Sequence, residues 1–202
     1  MDGSKKNINK VKNSDLYWKA DLKAVDAWVD REHINQLIGD AGFSGKIGIL
    51  SIDIDGNDYW VWEAIDCISP RVVICEYNSH FGDTHKVSVP YKSNFVRGDK
   101  HISNIFYGAS ISALDFLAKK KGYHLVGSNS AGNNIFFVRE DLMKNFKTLS
   151  PKEAYKACQF REARDDKSAL TFNSIEDNLQ LISDLEVINV DTKQSIKIKQ
   201  LF

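Results

Sequence analysis

The residues with the densest chemistry stand together in Leu50-Ser-Ile-Asp-Ile-Asp-Gly-Asn-Asp-Tyr-Trp-Val-Trp. Asp53, Asp55 and Asp58 place three carboxylates within six residues, directly after an apolar run, Ile47 to Ile52, that is too short for a helix and reads as a buried strand. Carboxylates at a strand end are costly to desolvate unless a cation, a cationic substrate or backbone donors meet them. A second apolar run, Val72 to Tyr77, leads into Glu76-Tyr-Asn-Ser-His. If the two strands are neighbours, Glu76 and Asn78 fall beside Asp53 and Asp55. Two chemistries follow. Asp53, Asp55 and Glu76 can ligate a divalent cation, Mg²⁺ or Ca²⁺, through oxygen. Alternatively, Asp53, Asp55, Glu76 and Asn78 orient a substrate hydroxyl and accept its proton, with His80 as the candidate general base. The competing structural reading has Asn57 or Asp58 capping the next helix, Asp55 holding the turn and His80 as a solvated loop residue. The spacing is not that of an EF-hand, because Gly56 falls fourth rather than sixth and no Glu stands at the twelfth position. His80, His85 and His101 share one loop without a zinc spacing.

The elements that must position these side chains can be read from hydrophobic period and punctuation. Lys5 to Lys12 predicts a short polar helix, and Leu22 to Val29 a strand. Asp30 then caps a helix carrying Ile34, Leu37, Ile38 and Ala41, closed by Gly42. The run 47–53, a helix from about Asn57 to near Pro70, and the run 72–77, buried on both faces, make a βαβ unit and so imply an α/β domain. Trp60 and Trp62 read mainly as core. Residues 79–109 lack periodicity and read as a lid or binding loop. Ser110 caps a helix over Ile111, Leu114, Leu117 and Ala118 that stops at Gly122. His124–Gly127 and Ile135–Val138 predict an antiparallel hairpin. Beyond Arg139 the expectation is helices over 140–146, 151–164 and 174–184 and a closing hairpin of 186–190 with 195–201. The division is thus an α/β domain over 1–142 and a C-terminal helical and hairpin extension over 143–202.

Composition excludes several classes. The 202 residues are 43% hydrophobic and carry 27 basic and 27 acidic side chains, a net charge of zero that gives no footprint for nucleic acid. No apolar run approaches the ~20 residues of a membrane span, and the first residues lack the apolar core of a signal peptide. The three cysteines, Cys67, Cys75 and Cys158, form neither a disulfide framework nor a zinc knuckle. The expected compartment is a reducing cytoplasm. There is no Walker loop, no nucleophile elbow and no Gly-x-Gly-x-x-Gly.

Ser51-Ile-Asp-Ile-Asp-Gly-Asn-Asp-Tyr-Trp-Val-Trp, Pro70-Arg-Val-Val-Ile-Cys-Glu-Tyr-Asn, Tyr107-Gly-Ala-Ser, Gly122-Tyr-His-Leu-Val-Gly and Asn133-Asn-Ile-Phe-Phe-Val-Arg together resemble the later part of an FkbM-like, S-adenosylmethionine-dependent methyltransferase domain. The resemblance covers roughly residues 1–142. It implies a Rossmann-like sheet, mostly parallel with its last strand antiparallel. It also implies S-adenosylmethionine as cofactor, with Asp2, Gly3 and Ser4 at the end of a strand where an acidic residue binds the ribose hydroxyls. By the same resemblance the chain begins about one βα unit late, without the first strand and its glycine-rich turn. That implies an unpaired edge on 47–53, filled by a homo-oligomer or a complementing N-terminal segment, and an activity that the chain as given need not possess.

The leading expectation is methyl transfer to a hydroxyl of a small or glycan-type substrate. One alternative is a metal-dependent glycosyltransferase using Asp53-Ile54-Asp55 as its Asp-x-Asp. The other is a degenerate domain that serves as a non-catalytic scaffold.

Overall fold

A computed structural model of the chain describes residues 1–159 and 163–202. Helix α1 (Lys5–Lys12) is capped by the Ser4 hydroxyl, and α2 (Asp15–Lys19) follows directly. Residues 22–29 are extended but form no strand. Their one β contact is a parallel bridge from Asp26 to Asp2, held by Asp2 N–H to Val25 O and Ala27 N–H to Asp2 O, both 3.2 Å. Helix α3 (Ile34–Asp40) begins after a turn in which the Asp30 carboxylate accepts the His33 backbone N–H at 2.7 Å.

Strand β1 (Gly45–Ile52), α4 (Asp58–Ala64) and β2 (Ile68–Glu76) form the expected βαβ unit, with β1 and β2 parallel and Leu50 opposite Val73. Helix α4 ends well before Pro70, which lies inside β2. Its missing N–H is tolerated because the ladder to the neighbour on that side starts only at Val72. A short strand, β3 (Val87–Ser88), interrupts the long loop. Helix α5 (Ile111–Lys120) is capped by Ser110, whose hydroxyl accepts the Ala113 N–H at 3.0 Å, and Gly122 takes the φ of +78° that the helix exit requires. Strands β4 (Tyr123–Ser128) and β5 (Asn134–Arg139) make the expected hairpin.

The main sheet runs β1-β2-β5-β4. Since β5 is antiparallel to both neighbours, β1, β2 and β4 point one way and the last strand in sequence opposes them. The chain is therefore α/β with a mixed sheet. Among the described residues this sheet has four strands. The core lies between the sheet and helices α4 and α5, with Trp62, Tyr59 and Phe137 buried. Both tryptophans of α4 belong to it: Trp62 packs on Phe137 at 5.0 Å between ring centres, and Trp60 donates its indole N–H to Val89 O at 2.8 Å. Strand β2 is mostly buried, whereas β1 is not: it sits at the sheet edge, with Ile49 63% exposed. An apolar run of that length signals burial only where other elements cover the strand, and among the described residues β1 pairs with β2 alone.

The C-terminal part adds Ala154 and Val190 to that core, and its Ile182, Val187, Ile198 and Leu201 build a second cluster with Phe81, Val87, Val89 and Ile105 of the central loop. Residues Glu140–Asn145 form a 3₁₀ helix. Helix α6 (Pro151–Ala154) covers one turn where a long helix is expected. From Tyr155 the chain is pulled out along the sheet end. The Tyr77 hydroxyl donates to Lys156 O at 2.6 Å, Tyr155 donates to Ser79 O at 2.9 Å, and Gln159 N–H bonds to Ala131 O at 2.8 Å. The rest of that expected helix includes residues outside those described. Helix α7 (Ile175–Leu181), capped by Ser174, precedes the hairpin β6 (Glu186–Asn189) and β7 (Ser195–Lys197). Strand β6 also pairs with β3, so residues 143–202 share a sheet with the central loop. No helix among the described residues is long and apolar enough to cross a membrane.

Candidate functional site

The turn after β1 carries the carboxylates, and the three acids behave differently. Asp58 is fully buried at the start of α4 and spends both oxygens on the turn. It accepts Ile54 N–H and Gly56 N–H, each at 3.0 Å. Burial raises its carboxyl to about 6, against the pull of those backbone donors. Asp58, not Asp55, therefore holds the turn. Asn57 occupies the cap position of α4 without a side-chain cap bond and donates instead to Lys92 O at 2.8 Å.

Asp55 sits in the left-handed region at φ +57°, which aims its exposed carboxylate outward. Its partner is Arg97, with Nη1 to Oδ1 at 3.2 Å. The Arg97 guanidinium lies 3.8 Å from the centre of the Tyr107 ring and also donates to Asn104 O. The cation that the strand-end acids require is thus supplied from within the 79–109 loop. Phe95 of the same loop lies on Gly56, where any Cβ would run into its ring, so only glycine fits under this cover.

Glu76 is 8% exposed, and its Oε2 has no hydrogen-bond partner. Burial first, then the charges of Asp58, Asp53 and Asp55, push its carboxyl up to about 9, while Arg97 pulls the other way. Burial and the neighbouring acids together favour the protonated form of Glu76. The structure does bring Asp53, Asp55 and Glu76 into electrostatic reach of one another. It does not assemble them as cation ligands: among the described residues no group of three or more His, Cys, Asp or Glu side chains is arranged to hold a metal ion.

Asn78 is fully buried and fully engaged. Its Nδ2 donates to Ile105 O and Tyr107 O at 2.8 and 3.0 Å, and its Oδ1 meets the His80 N–H and ring Nδ1 at 3.0 and 2.9 Å. It fastens the loop to the end of β2. His80 does not line the space that Asp53 and Asp55 border. It lines a separate cavity of about 240 Å³ with Tyr107 and Thr171, and its Nε2 lies 3.1 Å from Asn178 Nδ2.

The open space next to the acids is a cleft of about 780 Å³, within the size range of small-molecule sites. Asp53 and Asp55 line it together with Asp2, Gly3 and Ser4, and Trp28 and Phe95 add aromatic surface. Asp2 is held in place by Ser4 N–H at 2.6 Å and Asn7 Nδ2 at 3.0 Å. The three residues at 2–4 and the two carboxylates at 53 and 55 therefore meet, although some fifty positions separate them. Arg97 and Trp28 were not among the residues singled out from the sequence. Trp28, 49% exposed with its indole N–H on Ser93 O at 2.6 Å, carries a weak signal as a large aromatic next to an extended acidic segment. Arg97 carries none. Comparison with family models, with curated proteins and with solved structures gives no match for this chain.

Proposed function

We propose that the cleft binds an adenosyl cofactor, S-adenosylmethionine, and that the domain belongs to the class of enzymes that methylate a hydroxyl of a small or glycan-type substrate. The observation that carries this reading is the position of Asp2: a carboxylate fixed by two donors that lines, together with Asp53 and Asp55, a cleft of about 780 Å³ beyond the carboxyl end of β1. Ligands of open α/β sheets sit beyond carboxyl strand ends.

The cofactor supplies an electrophilic methyl group on a positively charged sulfur. Asp2 accepts hydrogen bonds from the two ribose hydroxyls, charge-assisted and therefore stronger than neutral ones. The exposed face of Trp28 offers stacking area for the adenine. The exposed carboxylates of Asp53 and Asp55 put negative potential where the positive charge would lie, and Asp53 accepts the proton of the substrate hydroxyl. Phe95 and Arg97 cover this end of the cleft and limit water. Asn78 and His80 act only through the loop that they anchor.

The test is transfer of labelled methyl from S-adenosylmethionine to a panel of sugars and polyols, with Asp53→Asn as the control. Transfer that drops at least a hundredfold in the variant supports the reading. Equal transfer by both proteins removes Asp53 from the reaction.

A further inference from the structure

We propose that Arg164 binds a carboxylate, and that the hydroxyl compound taken into the cleft is therefore a hydroxy acid such as a uronate. The inference rests on the reading of this cleft as a methyl-transfer site, but it is carried by a residue of the C-terminal part. Alongside Asp2, Asp53 and Asp55, the cleft is lined by Arg164 and Leu170. These two residues form an antiparallel bridge. The turn between them is closed by Ser168 N–H to Asp165 O and Asp165 N–H to Ala169 O, both 3.0 Å, and the Asp165 carboxylate accepts Lys167 N–H and Ala169 N–H at 2.9 Å. Arg164 N–H donates to Ser103 O at 3.1 Å, which ties the turn to the central loop.

Arg164 is partly buried, and its side-chain hydrogen bond among the described residues runs from Nη1 to a backbone oxygen, Ser168 O, at 2.8 Å. Arg97 and Arg139, whose side chains are 14% and 15% exposed, each meet a carboxylate, at 3.2 and 2.6 Å. Arg164 meets none among the described residues. Taking a cation out of water without a partner is costly, so this guanidinium is a place for an anion. Its planar fork of N–H donors matches a carboxylate in a bidentate, charge-assisted pair. The charge of the lining selects the anion. Asp2, Asp53 and Asp55 stand against Arg97 and Arg164, so the described side chains leave an excess of negative charge. A phosphate brings about 1.5 to 2 further negative charges at neutral pH, more repulsion than a carboxylate meets. The cofactor's own carboxylate carries an ammonium on the neighbouring carbon, which a guanidinium repels. An acid without that ammonium fits Arg164 better. With Asp53 accepting the hydroxyl proton, a molecule that offers both groups is a hydroxy acid. Leu170, 52% exposed, adds apolar surface for its carbon frame.

The test is calorimetric titration of the full chain with D-glucuronate, D-glucose and glucose 6-phosphate, with and without S-adenosylhomocysteine, repeated on Arg164→Gln and Arg164→Lys. The expected result is saturable binding of glucuronate, at least tenfold tighter than glucose and tighter than glucose 6-phosphate. The preference should vanish in Arg164→Gln and survive in part in Arg164→Lys, which keeps the charge without the fork. The affinity for S-adenosylhomocysteine should stay within twofold of the parent in both variants. No binding of glucuronate at tens of millimolar overturns the proposal, as does equal binding of glucuronate and glucose, or a preference that both variants retain. Tighter binding of glucose 6-phosphate overturns the choice of carboxylate. A parallel loss of S-adenosylhomocysteine affinity in Arg164→Gln also overturns it, because the arginine then holds the cofactor's carboxylate. Failure of S-adenosylhomocysteine to bind, with glucuronate still separating parent from variant, sinks the cofactor reading and leaves the carboxylate site standing.

Discussion

Replacing Glu76 by glutamine tests the electrostatics of the strand end through a quantity that packing errors do not touch. The side chain is buried and its carboxyl is raised to about 9, whereas in the unfolded chain it returns to its ordinary value near 4.5. Between those two values the native protein holds one proton more than the unfolded chain, so stability falls as pH rises, and the fall ends once the native carboxyl ionises near 9. One proton corresponds to about 1.4 kcal/mol per pH unit. The interval from about pH 6.5 to 8.5 isolates the effect, because Asp58, at about 6, has mostly ionised there and Glu76 has not. Glutamine keeps the shape and removes the titration. Any offset that it introduces is constant with pH. Urea unfolding of both proteins across that interval should show the variant gaining on the parent by roughly 2 to 3 kcal/mol. Parallel profiles, with the difference constant to within about 0.5 kcal/mol, would refute the reasoning. They would mean that Arg97 outweighs burial and keeps Glu76 ionised.

Four further outcomes are expected. Asn78→Asp turns two donated hydrogen bonds into repulsions against Ile105 O and Tyr107 O, and should cost about 2–5 kcal/mol in urea unfolding; a loss under 1 kcal/mol would show that the loop is fastened elsewhere. Asp55→Asn keeps a residue that tolerates positive φ and breaks only an exposed ion pair, so stability should shift by less than about 1 kcal/mol. Methyl transfer should nonetheless fall at least tenfold, and an unchanged rate removes Asp55 from the site. Gly56→Ala drives a methyl group into the Phe95 ring and should unseat it, at about 1–3 kcal/mol by thermal melting. His80→Ala, which lies in the other cavity, should leave methyl transfer within about threefold of the parent, or about 0.65 kcal/mol; a greater loss in a protein that melts normally would put the histidine back into the reaction.

How far the sequence reaches depends on whether local or distant groups decide a segment. Helix α5 was legible because Ser110, the apolar stripe and Gly122 all act within a dozen residues. The β1-α4-β2 unit and the β4–β5 hairpin were legible for the same reason, through run length and turn composition. Residues 155–159 were not. Local propensity favours a continued helix after Pro151, but tertiary bonds from Tyr77, Ser79 and Ala131 hold the chain extended. Residues 22–29 alternate like a strand and form one bridge, since pattern does not supply a partner. Within the site, the meeting of Asp53, Asp55 and Glu76 followed from neighbouring strand ends. The assignment of Asp58 to the turn did not, because Asp55 and Asp58 are equally placed in sequence and only the αL backbone at Asp55 separates their roles. Asn78 and His80 were grouped with the acids by proximity in sequence, yet the backbone turns at 79–81 and carries His80 to the other side of the loop.

The central claim is that Asp2 and the cleft facing it bind an adenosyl cofactor. Calorimetric titration of the full chain with S-adenosylhomocysteine, carried to millimolar ligand and repeated on Asp2→Asn, tests it most directly. Asparagine can still accept the Ser4 N–H that holds the turn into α1, so the fold is kept while the charge on the ribose hydroxyls is lost. The account predicts saturable binding of one ligand per chain, weakened at least tenfold in the variant, about 1.4 kcal/mol. No heat at millimolar ligand, or the same affinity in both proteins, would contradict it.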